Sequence, residues 1–304
     1  MMPDRELVGS PEELPGEVFR TGGVAFGRLW PEGRDLPPAT WVAGVEPWWE
    51  LARWPDHARQ LRGLRRQLAR GRRKGLRLEG HWLRQQVPGA VPGEALSDLL
   101  VRWRLACAMP PMAFAAASRW ESVHREAWLG LAWQGERLVG AALALPRGHG
   151  AWCLVHLVRD PAAPQGTVEH LVDCAMRELA SAGGRWATLG LMPLEGPIPV
   201  WLRRVGPRLE GLFPFEGLST FKLRFRPHRH RYLLVEHPAL PQAFGVFCLL
   251  RAFTGVGFLR YAATWLLWRL GRRSLPAEAT PATSRYTPPA GERILGVSEE
   301  PYPA

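Results

Sequence analysis

The residues of this chain best placed to do chemistry are cations. Between Arg59 and Arg84 stand ten Arg or Lys residues against one acid, Glu79, so that segment carries +9 of the formal net charge of +11. Leu61, Leu64 and Leu68 recur at helical spacing and mark a buried stripe on a helix running from about His57 to Arg73. Arg59, Arg62, Arg65, Arg66, Arg70, Arg72, Arg73 and Lys74 cover the rest of it. So basic a face suits a polyanion, because each phosphate it neutralises releases condensed counterions. The bland alternative is a solvated helix in an Arg-rich protein, since the chain has 37 Arg and two Lys. Those two lysines, Lys74 and Lys222, each fall inside a basic motif. Around the second, Phe215, Leu218, Phe221 and Phe225 could seat a short helix from which Lys222 and Arg224 project, Lys222 on its exposed side. Pro227 stops that helix, and Arg231–Val235 reads as a strand.

Other chemistries find little support. Cys107, Cys153, Cys174 and Cys248 lie in apolar contexts without Cys-x-x-Cys spacing, which favours buried thiols over disulfides or zinc. His228 and His230 lack a third metal ligand, so structural or solvated roles suit them, and no Ser–His–Asp set or Cys nucleophile can be assembled. No cofactor or metal is expected. The N-terminus has no apolar run of the kind a secretory signal needs, so a reduced, cytosolic protein is the expectation.

Positioning those cations requires a substantial fold, and 304 residues allow one large or two smaller domains. Residues 1–17 read as a frayed terminus. Weak strands follow at Val18–Phe26 and Thr40–Val45; from Pro47 the pattern turns helical, breaks at Pro55 and is capped again near Asp56. After Gly75 come a strand at Leu76–Trp82 and a helix beyond Pro92, then a hairpin of Ala127–Trp133 and Leu138–Leu145. Ala151–Val158 makes a further strand, Gly166 to about Ala182 a helix, and Trp186–Leu191 another strand. Pro241–Leu270 is apolar save Arg251, Arg260 and Arg269. A spanning helix needs about 20 apolar residues, and a central Arg costs roughly 2.5–3.5 kcal/mol, so residues 241–273 fit a helix lying in the membrane interface. Residues 274–304 carry six prolines and read as a disordered tail.

The element order is that of an N-acyltransferase of the acetyltransferase type. Phe-x-Gly-Leu-x-x-Phe-Lys-x-Arg-Phe-x-Pro at 215–227, followed by Arg231-Tyr232-Leu233, resembles the C-terminal domain of phosphatidylglycerol lysyltransferases, the aminoacyl-phosphatidylglycerol synthases. Arg73-Lys74-Gly75-Leu76, Ala163-Pro164-Gln165-Gly166 and Thr188–Leu194 are also similar to that family, over roughly residues 40–237. The resemblance implies an α/β, tandem acetyltransferase-like fold: a shortened first lobe at 18–90, a second at 91–240, and the apolar helix behind them. Where the family has an aspartate this chain has His156, and Glu169 replaces another aspartate. The loop Arg159–Thr167 has one glycine and two prolines, which suits coenzyme A poorly.

What the resemblance implies is transfer of an amino acid, lysine or a similar one, from aminoacyl-tRNA to the glycerol hydroxyl of phosphatidylglycerol or a related anionic lipid. Lys222 and Arg224 would contact phosphate or the oxyanion, with Arg159 as a second clamp. His156 and Glu169 complete the catalytic candidates; Gln165, Gly166 and Arg231 are those for substrate. Arg62, Arg65, Arg66, Arg70, Arg73 and Lys74 would hold tRNA. The protein would sit peripherally on the inner face of the membrane and depend on a separate flippase for export. Two alternatives stay open: an acyltransferase with another donor or acceptor, and an inactive membrane-associated protein that binds tRNA or lipid.

Overall fold

The structure is a computed structural model that describes residues 19–21, 24–37, 40–85, 93–107, 126–209 and 215–236, with two isolated positions, 263 and 266. The expected terminus at 1–17, interface helix at 241–273 and tail at 274–304 otherwise lie outside the described residues. No helix among the described residues is long and apolar enough to cross a membrane.

One ten-stranded sheet organises the chain. Its strands are β1 (Phe19–Thr21), β2 (Val24–Pro31), β3 (Thr40–Glu50), β4 (Leu76–Trp82), β5 (Trp128–Gln134), β6 (Arg137–Pro146), β7 (Ala151–Arg159), β8 (Trp186–Thr188), β9 (Met192–Pro193) and β10 (Arg229–Glu236). The spatial order is β1-β2-β10-β3-β8-β7-β6-β5-β4, with β9 also on β3. The sheet therefore runs unbroken across residue 90: β4 pairs with β5, and β10 comes back to lie between β2 and β3. Its described pairings are antiparallel except β7 with β8, which needs a crossover helix. That helix is α4 (Thr167–Ser181), following α1 (Trp54–Gln60), α2 (Arg62–Arg73) and α3 (Gly93–Ala106) and preceding α5 (Val200–Leu209) and α6 (Phe215–Leu223).

Side-chain alternation assigns the two faces. On β5, Trp128 and Ala132 join the main core with Trp49, Trp54, Leu171, Met176 and Leu179 beneath α1, α2 and α4, while Leu129 and Leu131 join Leu96 and Leu99 of α3 on the other face. A third cluster packs Ile198 and Leu202 onto Trp41, Val42 and Leu234.

Three local readings of the sequence are corrected. The basic helix is two helices, because Leu61 takes an extended ψ of 91° between α1 and α2; the stripe of Leu61, Leu64 and Leu68 is nevertheless buried. The Pro47–Glu50 stretch is strand, with Trp48 and Trp49 fully buried on opposite faces of β3, so burial overrides a helix-like spacing. The strand from Trp186 ends at Thr188 rather than Leu191. Helix α5 was not anticipated.

α2 and α4 approach closely at two glycines, Gly71 against His170 and Gly166 against Gln67. Gly166 caps α4 with φ +96°, and a Cβ there would stand 2.5 Å from the carbonyl oxygen of Gln67. Gly166→Ala therefore meets both backbone strain and a backbone clash, and its urea midpoint should fall by the equivalent of about 2 kcal/mol or more.

Candidate active site

The cations of α2 are arranged as the stripe dictates: Arg62, Arg65, Arg66, Arg73 and Lys74 are exposed and Arg70 is half-buried. Arg70 donates to the side-chain oxygen of Gln165. Arg70, Arg73, Lys74 and Gln165 line an open cleft of about 480 Å³ beside the start of α4. A helix N-terminus adds partial positive charge to such a cleft. Glu169 is half-buried on the first turn of α4.

The loop entering α4 is clamped by a residue that the sequence reading passed over. Asp160 Oδ2 accepts from Arg102 Nε at 2.6 Å and Arg137 Nη2 at 2.8 Å, and Oδ1 accepts the Ala162 amide at 2.8 Å. Burial opposes ionisation, yet the Ala162, Arg102 and Arg137 bonds prevail and hold this carboxyl below its ordinary 3.8. Stability from the clamp is thus present above the ordinary value and is lost as pH falls through the lower, folded one. Asp160→Asn should cost about 2 kcal/mol by urea titration at pH 7 and flatten the acid limb of that titration. A single acid in an Ala/Pro-rich loop was the available signal.

The sheet splits between β7 and β8. Their pairing covers only Ala151–Cys153 against Trp186–Thr188, while β7 continues to Arg159. On the far side of β8 the ladder with β3 also lapses: it runs from Trp48↔Thr188 to Val45↔Met192, so β3 advances three residues and its partner four. The slack falls at residues 189–191, where Gly190 has φ +77°. Pro47 stands on β3 opposite this lapse.

Into the slack reaches Lys222. Its Nζ donates to the Gly190 carbonyl at 2.9 Å and the Leu191 carbonyl at 2.7 Å, and the residue is 5 % exposed. The expectation of an exposed Lys222 is therefore corrected. α6 buries the row Ser219 and Lys222, continued by Phe225, and leaves Leu218 and Leu223 at the surface. What turns the helix is its C-terminal end, where the Phe225 carbonyl accepts Trp49 Nε1 at 2.9 Å and pairs with His57 Nε2 at 2.8 Å. His228 Nδ1 in turn accepts the Glu50 amide, a structural role consistent with a pKa lowered to about 4, chiefly by burial. Burial lowers Lys222 to about 8, opposed by the nearby Cys153 and Glu46; the same burial raises the Cys153 thiol to about 11.

Beside Lys222, Glu46 is 2 % exposed and takes Arg147 Nη1 on Oε1 at 2.7 Å. Arg231, also buried, stands directly across the β10–β3 ladder from it. A single carboxylate amid the apolar run of β3 was legible as an anomaly, but nothing local named its partners. His156 is half-buried on β7, and burial lowers its pKa, so a neutral imidazole prevails at neutral pH. Arg159 and Arg224 end on the surface. The structure thus gathers Gln165 and Gly166 with the α2 cations, and Lys222 and Arg231 with Glu46.

The sheet thus opens beside the strand leading into its crossover helix, with a hydrogen-bonding cation in the opening. The model for the family "Phosphatidylglycerol lysyltransferase, C-terminal" matches residues 51–235, and the chain belongs to that family of aminoacyltransferases. Its fold is similar to the C-terminal domain of a protein described as a lysylphosphatidylglycerol synthetase from Agrobacterium fabrum, at 20% identity and a TM-score of 0.58, over 72% of this chain and 68% of that one. It is also similar to L-PGS from Bacillus licheniformis, at 17% identity and a TM-score of 0.54, over 70% of this chain and 66% of that one. No match is found among the curated proteins.

Proposed function

We propose that this domain moves an aminoacyl group, lysyl or similar, from aminoacyl-tRNA to a glycerol hydroxyl of phosphatidylglycerol at the inner face of the membrane. The observation that carries this reading is the pairing of two separate sites: an exposed basic face suited to a polynucleotide, and a buried lysine in a split sheet suited to an ester. The acceptor oxygen attacks the ester carbonyl, the bond to the tRNA ribose oxygen breaks, and the hydroxyl proton ends on that ribose oxygen. His156, neutral at working pH, accepts the proton and returns it. Lys222 donates to the oxygen on which negative charge develops.

Arg159 and Arg224, both at the surface, contact phosphates of donor or lipid. Glu169, Gln165 and Gly166 position the donor end beside α4, and Arg231 supports the acceptor side of the split. Peripheral attachment through residues 241–273 follows from their sequence pattern. The test is lipid extraction after expression in a host without aminoacylated lipids. A new ninhydrin-positive lipid that depends on Lys222 is expected; its absence despite folded protein and charged tRNA would overturn the reading.

A further inference from the structure

The end of α6 is held from across the fold. The Phe225 carbonyl accepts two side-chain donors at once, Trp49 Nε1 of β3 at 2.9 Å and His57 Nε2 of α1 at 2.8 Å. A carbonyl oxygen only accepts, so the His57 ring carries a proton on Nε2. One residue on, Arg226 takes φ +45°, a left-handed turn costly for a residue with a Cβ. Such conformations persist where the surroundings over-determine them. Two further bonds do so here: the His228 amide donates to the Trp48 carbonyl at 2.9 Å, and the Glu50 amide to His228 Nδ1 at 3.0 Å. The His57 and His228 rings meet edge to face, with centroids 4.5 Å apart. Lys222 is tied to this anchor, because its own carbonyl accepts the Phe225 amide at 3.1 Å. At the other end of the side chain, Nζ is bonded to the Gly190 and Leu191 carbonyls, where the sheet is slack.

Resting on the reading in which Lys222 acts on the ester, we propose that Trp49 and His57 are positioning residues for this transfer: together they hold the Phe225 carbonyl and so fix where the Lys222 ammonium stands in the opening. Trp49 is fully buried in the main core, whereas residues 189–191 fall in the lapse of the β3 ladder. The anchor is therefore the firmer end of the lysine's support. A reacting group misplaced by about 1 Å can cost on the order of a hundredfold in rate. The grip also keeps Nζ away from water, and burial is the main cause of its pKa of about 8. Glu46 of β3 and Cys153 of β7 oppose that lowering; Arg147 is bonded to Glu46, and Arg231 stands across the ladder from it. Substituting Trp49 or His57 leaves each of these groups in place. A loosened grip then shows as an upward move of the Lys222 titration.

The chain has two lysines, so isotope labelling of the lysine ε-carbon gives two side-chain NMR signals, and Lys74→Arg assigns them. In the whole chain, wild-type Lys222 should titrate near pH 8. His57→Leu and Trp49→Phe should each move that titration up by about half a unit or more. The same variants should lower kcat for lysyl-tRNA about tenfold or more while KM changes by less than about twofold. The alkaline fall of activity should move upward to match. His57→Gln, whose side-chain amide nitrogen takes the place of Nε2, should restore both readouts. If Trp49→Phe does not fold, the substitutions at half-buried His57 carry the test. A grip that serves stability alone would lower the folded fraction and leave the Lys222 titration and the alkaline limb where they are, which would overturn the positioning role. A displaced titration with kcat unchanged would overturn it as well. Wild type without lipid product, but with a Lys222 titration that follows the His57 variants, would sink the transferase reading and leave the grip on Lys222 standing.

Discussion

Lys222→Ala should transfer aminoacyl groups on the order of a hundredfold more slowly than wild type, because a buried donor at a developing oxyanion contributes on that scale. The loss should appear in kcat at saturating donor. Since Lys222 is 5 % exposed and bonded to two carbonyls, its removal also leaves those acceptors unsatisfied, at a cost of about 1–3 kcal/mol in stability. The pH dependence separates the two effects. Lys222 has a folded pKa of about 8 against an ordinary 10.5, so below pH 8 both folded and unfolded states are protonated and the buried charge destabilises fully. Between pH 8 and 10.5 the unfolded chain binds more protons, and stability rises with pH. Wild type should therefore gain stability over that window relative to Lys222→Met, while its activity, which needs the charged donor, falls above about pH 8. Lys222→Arg should rescue only in part, because a planar fork does not fit a site that presents two adjacent carbonyls. Activity level up to pH 10, or an alanine variant as fast as wild type, would remove Lys222 from the chemistry.

What the sequence disclosed and what it withheld follow one physical division. The β5–β6 hairpin, β7, α4 and the leucine stripe of α2 were legible because their apolar patterns are local and continuous in the sequence. The orientation of α6 was not. Its aromatic spacing points Phe215, Leu218 and Phe221 inward, yet the Phe225 carbonyl is held by Trp49 and His57, residues some 170 positions away, and that grip rotates Ser219 and Lys222 into the core. Shorter separations also hid Glu46 and Asp160: Arg147 stands 101 positions from Glu46, and Arg102 and Arg137 stand 58 and 23 from Asp160. The functional candidates were thus identified by type, and the environment that sets their chemistry came only with the tertiary structure.

The second large effect is expected on α2. Arg62, Arg65 and Arg66 are exposed and make no ion pair among the described residues, so their charge is available to a ligand. Reversing all three to Glu should leave stability within about 0.5 kcal/mol per site, as exposed substitutions do. It should lower tRNA affinity by roughly two to three orders of magnitude near 50 mM salt, and reduce the slope of log K against log salt by about three units. Arg73→Ala with Lys74→Ala, which strips the cleft beside Gln165, should instead slow transfer more than it weakens binding, because that cleft lies next to α4 and would hold the donor's end. The two variants divide the basic surface into a part that gathers tRNA and a part that aligns its ester. An unchanged salt slope in the triple reversal would make the basic face a solvated one, and donor binding would then have to rest on the cleft alone.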